Sequence, residues 1–167
     1  MKMRGLSLSL KGRDPWAGIR IIGALVVANA LILGLFELPR AEARQIDNII
    51  VHHTASEDVS AITIDAWHLK RGWDGIGYHF VIRSNGTVEP GRSIEKIGAH
   101  AKGRNAHSIG IALTGYDEFT LEQKTALTKL IKELCKKYPI ESIERHHEEC
   151  PGTGLDIESL AKYILKK

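Results

Sequence analysis

The sequence predicts an α/β fold: a single domain with a mixed central β-sheet and flanking helices, preceded by an N-terminal signal segment. Three observations carry this. Short, strongly apolar runs at 49–51 and 108–113 have the length and β-branched content of buried strands. The stretch 78–83 alternates, and Ser-Asn-Gly at 84–86 has the chemistry of a tight hairpin turn. Between and after these lie helical patterns, so strands and helices interleave along the chain, which is the order that builds a sheet with helices packed on it.

The first segment stands apart from the rest. Residues 1–20 carry Lys2, Arg4, Lys11, Arg13 and Arg20 against the single acid Asp14, and residues 21–36 carry no charge. LPRAEA follows at 38–43. A basic start, an apolar core and a small-x-small ending predict a secretory signal cleaved after Ala43, which divides the chain into 1–43 and a domain at 44–167. The competing reading is an uncleaved membrane anchor: sixteen residues fall short of the roughly 20 that span a bilayer, but tilt and thinning accommodate the difference. Either way the segment engages the membrane or the export machinery, and the domain is expected outside the cytoplasm, secreted or periplasmic.

Charge narrows the partners. The whole chain holds 23 basic and 20 acidic residues; residues 1–43 account for six basic and three acidic, leaving 17 of each. The pI near 8.9 therefore belongs to the signal, and the neutral domain lacks the clustered basic face of a nucleic-acid binder. The 43% hydrophobic content is ample for one core, and a monomer is expected.

Taken in order, NIIVHH at 48–53 predicts a strand whose alternation sends His52 and His53 to opposite faces, one towards a cleft and the other into packing. Residues 60–71 predict a helix, with Ile64, Trp67 and His68 at helical spacing, His68 structural, and Gly72 as the stop. A strand at 78–83 returns at 87–89, and alternation places Tyr78 and Phe80 on one face. Gly75 and Gly77 leave room for a ligand at the backbone, or merely serve a turn. SIGIAL at 108–113 is a buried strand closed by Thr114 and Gly115. TLEQ at 120–123 is a capping box, opening a helix whose Leu127, Leu130, Ile131, Leu134 and Tyr138 form one apolar stripe and which Pro139 ends. Residues 140–144 suit a short strand delivering His146, and Asp156 caps a last helix with lysines near its end.

Chemistry concentrates in two places. His52 ends the first strand, and RHHEECPGTG at 145–154 supplies a second histidine pair and a cysteine. Imidazole and thiolate together suit zinc, and a hydrolytic zinc site keeps three protein ligands with a fourth position open. His52, His146 and Cys150 make such a set. Two other readings stand beside it: a surface His/Glu loop with an idle thiol, or, in an exported protein, a Cys135–Cys150 disulfide. Tyr78 is either a core aromatic or a site residue.

Four blocks in order resemble the zinc N-acetylmuramoyl-L-alanine amidases of the phage-lysozyme and peptidoglycan-recognition-protein type: VHHTAS at 51–56, WHLKRGWDGIGYHFVIRSNGTVEPGR at 67–92, GAHAKGRNAHSIGIALTG at 98–115 and HHEECPG at 146–152. The resemblance implies that His52, His146 and Cys150 bind Zn(2+), that Tyr78 is catalytic, and that His100 and Asn105 line the substrate groove. It also implies the reaction, hydrolysis of the amide between the lactyl group of N-acetylmuramic acid and L-alanine in peptidoglycan. The chain departs from the pattern in one respect. Relatives carry a longer spacer between the histidine and the cysteine, with a lysine shortly before the cysteine, whereas Glu148 stands in that place here. Two further readings keep the fold and change the role: a peptidoglycan-binding module without activity, and a phage or prophage lysis protein with a releasable anchor.

Overall fold

The computed structural model describes residues 44–166, and the expected signal segment lies outside the described residues. The β-branched run makes β1 (Asn48–His53), a strand buried along almost its whole length. Side chains that are stiff at χ1 pack well on a pleated surface, so Ile49, Ile50 and Val51 hold this strand in the sheet interior. Ser60 then accepts the Thr63 N–H and opens α1 (Ala61–Lys70). β2 (Phe80–Ile82) and β3 (Val88–Pro90) form the hairpin, turned at the expected Ser-Asn-Gly. Pro90 is tolerated because β3 is an edge strand.

β4 (Ser108–Leu113) is buried at every position and lies between β2 and β1, parallel to both. Thr120 and Gln123 close the expected capping box at the start of α2 (Leu121–Lys137), worth about 1 kcal/mol. β5 (Ser142–Arg145) pairs with β1 in parallel at the other edge, and Asp156 caps α3 (Ile157–Leu165). The strand order is β3-β2-β4-β1-β5, with only β3 antiparallel. The fold is thus a mixed α/β domain, as the sequence predicts.

Alternation along the strands makes two cores. Ile49, Val51, Ile82, Ile109, Ile111 and Leu113 face α2 and α3, where Leu127, Ile131, Leu134 and Ile157 complete the larger cluster. Each such side chain contributes about 1.5 to 3 kcal/mol by leaving water, before conformational entropy opposes it. The smaller cluster lies under α1 and joins Ala61, Ile64, Ile76 and Val81. His52 belongs to this second face of β1, and that places it beside α1 and the loops before β2.

Three sequence expectations need correction here. The alternating strand begins at Phe80, not at Tyr78, because the chain bends at His79. Tyr78 and Phe80 therefore face opposite sides: Phe80 packs on the larger cluster and Tyr78 on the smaller. Trp67 does not join the buried stripe of α1, which is Ala61, Ile64 and His68; it remains 40% exposed. Cys135 and Cys150 are both free, so the disulfide reading fails. The remaining lysine-rich end of α3 is as expected, and no helix among the described residues is long and apolar enough to cross a membrane.

Arg44, the first described residue, is tied into the domain. Its guanidinium donates to the carbonyls of Ile94, Asn105, Ala106 and Ser108 at 3.0 to 3.2 Å, pinning the start of the domain to the loop that precedes β4.

Candidate metal centre and its cleft

Three segments bring three side chains able to ligate a metal to one point. His52 comes from the end of β1, where it is 1% exposed; His146 follows the last residue of β5; Cys150 closes a tight turn after it. Their ligand atoms all lie within 4.8 Å of one another, and Cys150 Sγ is 3.9 Å from His52 Nδ1. With metal–sulfur and metal–nitrogen bonds of about 2.3 and 2.0 Å, a tetrahedral zinc shell would place S and N about 3.5 Å apart, so the Cys150–His52 pair is near the required spacing and the set as a whole would draw in around the ion. The turn is compact because His147 and Cys150 exchange main-chain hydrogen bonds at 3.2 and 3.0 Å. Three intervening residues therefore suffice to bring His146 and Cys150 together.

The hydrogen bonds leave His52 able to ligate a cation. Its Nε2 lies 3.1 Å from His100 Nδ1, so an Nε2–H donated to His100 leaves Nδ1, the atom facing Cys150, as a free lone pair. Burial pushes His52 down to about 2, with His100, His146 and Arg104 adding to the effect; the ring is neutral, as a ligand must be. Burial likewise pushes the Cys150 thiol up, against a hydrogen bond from the His53 main chain. Only a nearby cation would make that sulfur a thiolate at neutral pH.

His53 takes the other direction. It is half-buried, its Nδ1 meets the Tyr116 carbonyl, and it lines an open recess with Asp117, His147, Glu148 and Glu149. Glu148 is exposed on that side of the turn.

Tyr78 sits with its ring centroid 5.1 Å from that of His52. It walls a 310 Å³ recess with Thr54, Ser56, Trp67, His68 and Arg71. Burial pushes its phenol up to about 12, with Cys150 reinforcing and Arg71 opposing, so it remains an O–H donor at any ordinary pH. His68 is structural, as expected: its Nδ1 accepts the Gly77 N–H at 3.1 Å. Gly77 approaches the Ala99 carbonyl rather than a ligand, and a Cβ there would lie 2.2 Å from that oxygen.

On the far side, His100, Asn105, Lys102, Trp73 and His146 line a groove of 530 Å³. His100 thus has two faces, one on the groove and one on His52. Asn105 Oδ1 accepts the N–H groups of His100 and Ala101, both at 2.9 Å, and so shapes the loop that carries His100. Gly110 makes space for that ring: a Cβ at 110 would be 2.4 Å from His100 Cδ2. A glycine between Ile109 and Ile111 inside a strand is the available sign of close packing at that point. Nothing in the spacing marks His79 or Arg104, which the fold brings in from the loops.

His79 provides a test of this packing. Its Nδ1 accepts the Gly110 N–H at 2.9 Å, its Nε2 faces the Lys96 carbonyl at 3.2 Å, and burial pushes it down to about 4 from an ordinary value of 6.5. Above pH 6.5 the ring is neutral folded or unfolded. As pH falls from 6.5 towards 4 the unfolded chain takes up a proton that the folded one refuses, so stability is lost through that window by up to about 3 kcal/mol. His100, pushed down to about 3, acts in the same direction. Urea midpoints of the metal-free protein should therefore fall steadily below pH 6.5; a flat profile down to pH 4.5 would contradict the assignment.

Fold and site define a class: a small mixed α/β domain with a two-histidine, one-cysteine cluster of metal-binding geometry at the end of an interior strand, between a recess and a groove. Comparison with known proteins gives the family. A family model described as N-acetylmuramoyl-L-alanine amidase matches residues 42–153, and the chain belongs to that family. The endolysin of Escherichia phage T7 is 40% identical over 116 residues, covering 63% of this chain and 77% of the relative. Peptidoglycan-recognition protein SC2 of Drosophila melanogaster is 36% identical over 132 residues, covering 68% and 72%. Among solved structures, the N-acetylmuramoyl-L-alanine amidase LysC from Clostridium intestinale URNW superposes with a TM-score of 0.69 at 38% identity, over 77% of this chain and 91% of that one.

Proposed function

We propose that this domain hydrolyses the amide between the lactyl group of N-acetylmuramic acid and L-alanine in peptidoglycan, with His52, His146 and Cys150 holding a zinc ion and Tyr78 as the catalytic donor. Membership of the amidase family supports the reaction, and the convergence of three ligand atoms within 4.8 Å carries the metal assignment. When bound, zinc supplies Lewis-acid polarisation of the scissile carbonyl and of the attacking water.

The rest falls to this chain. His52 and His146 present neutral imidazoles, and an Nε2–H donated to His100 would hold His52 in the tautomer that leaves Nδ1 free. Tyr78 reaches into the recess as a protonated phenol, able to donate to the carbonyl oxygen as negative charge develops there. The recess beside Tyr78 and the groove beside His146 flank the ligands, so a chain-like substrate would cross the centre from one to the other. His100 and Asn105 line the groove portion, and Lys102 on its rim is a cation available where the family's lysine is absent. Export belongs to the same reading, because the polymer lies outside the cytoplasmic membrane and residues 1–43 have the composition of a signal or anchor.

Likeness to peptidoglycan-recognition proteins keeps a second reading in view, binding without hydrolysis. Purified sacculi separate the two. Incubation with the protein is expected to release free L-alanyl amino groups without new reducing ends, to stop on chelation and to resume with added zinc. Retention on sacculi with no new amino groups would leave a binding module.

A further inference from the structure

We propose that Arg104 is the positioning residue that sets the spacing of the two metal-binding imidazoles, and the inference rests on the zinc reading above. His146 lies just beyond β5, half-exposed, and its ring position follows its main chain. That main chain is held at two points. Its N–H donates to the Val51 carbonyl at 3.2 Å, and its carbonyl accepts Nη2 of Arg104. Nη1 of the same guanidinium meets Glu144 Oε2 at 2.8 Å, so one planar fork spans the end of β5.

Arg104 also reaches the other imidazole, through its own carbonyl. That oxygen accepts the Ser108 hydroxyl at 2.7 Å; Ser108 Oγ lies 3.4 Å from His100 Nε2, and His100 Nδ1 faces His52 Nε2 at 3.1 Å. A hydrogen-bonded chain therefore runs from Arg104 to His52, while its side chain grips His146. β1 carries His52 and β5 leads into His146, whereas Arg104, on the loop before β4, is linked to both, to His146 by its side chain and towards His52 by its main-chain carbonyl.

The fork's contribution to the fold is small. The Arg104–Glu144 pair is 37% and 41% exposed, and such pairs add little net stability. Its effect should appear at the metal instead, where groups that orient ligands typically change affinity 10- to 100-fold. Charge alone predicts the opposite sign: removing a guanidinium near a cation site would tighten binding.

The full-length protein is measured for zinc affinity by chelator competition and for cobalt(II) absorption, which reports ligand geometry. Arg104→Gln is expected to weaken zinc about 10- to 100-fold and to alter the cobalt spectrum. Arg104→Lys, which keeps the charge but offers no planar fork, should recover only part of the loss. Arg83→Gln, which removes a guanidinium paired with Asp58 and Glu89 elsewhere on the sheet, should leave zinc affinity unchanged. If Arg104→Gln does not fold, Glu144→Gln, which frees one arm of the fork, should still weaken zinc several-fold. Unchanged or tighter binding in the Arg104 and Glu144 variants overturns the proposal while the metal site stands. A wild-type protein that binds no zinc overturns the metal reading itself.

Discussion

Cys150→Ser is expected to strip the protein of zinc and abolish hydrolysis, and His52→Ala to do the same. A three-ligand site has no redundancy, and a hydroxyl is a much poorer zinc ligand than a thiolate. Several kcal/mol of transition-state stabilisation depend on the ion, so kcat/KM should fall by on the order of a thousandfold or more. Stability should register the loss as well. A ligand present at about 100 times its dissociation constant stabilises the fold by roughly 2.7 kcal/mol, so zinc should raise the unfolding midpoint of the wild type and not that of Cys150→Ser. Cys135→Ser serves as the comparison, since Cys135 is a half-buried thiol on α2 away from the ligands. Full activity in metal-free protein, or undiminished zinc content in Cys150→Ser, would refute the site assignment.

Tyr78→Phe should lower kcat by tenfold or more with zinc content unchanged. The phenol is held protonated by burial beside His52 and lines the recess next to the ligands, the placement required of a donor to a developing oxyanion. Such donors are worth about 2.7 to 4 kcal/mol where they act in the transition state, which sets the upper end of the effect at ~10²- to 10³-fold. KM should change little, because the interaction strengthens only as charge builds. Glu148→Gln is the matched comparison and should have little effect. Glu148 is exposed and faces the recess of His53 and Asp117, not that of Tyr78. Full activity in Tyr78→Phe together with loss in Glu148→Gln would reverse the two roles.

The compact turn at 147–150 accounts for how His146 and Cys150 meet over so short a span. Main-chain bonds between His147 and Cys150 close it, and Arg145 Nη1 donates to the Glu148 carbonyl within it at 3.1 Å. Two cations of the loop before β4 stand at the groove and at His146. Lys102 stands on the groove and Arg104 grips His146.

Much of this architecture was legible in the residues themselves. Local rules sufficed for β1, β4, the three capped helices and the Ser-Asn-Gly hairpin, because β-branched runs, capping side chains and turn residues act within a few positions of where they stand. The ligand set His52, His146 and Cys150 was named from residue chemistry and motif order, and folding brings those atoms together. Two kinds of fact needed the tertiary structure. One is the face on which a residue lies when a bend interrupts a strand: the turn at His79 separates Tyr78 from Phe80, and no alternation rule sees a bend set by His79's own bonds to Gly110 and Lys96. The other is the company that long-range packing provides. His100 rests on Gly110 and faces His52 across 48 positions of sequence, and Arg104 reaches His146 across 42, contacts fixed by the parallel register of β1, β4 and β5 and by the loops they carry. Residue type states what a side chain can donate or ligate; only the register of distant strands decides which other side chain is there to receive it.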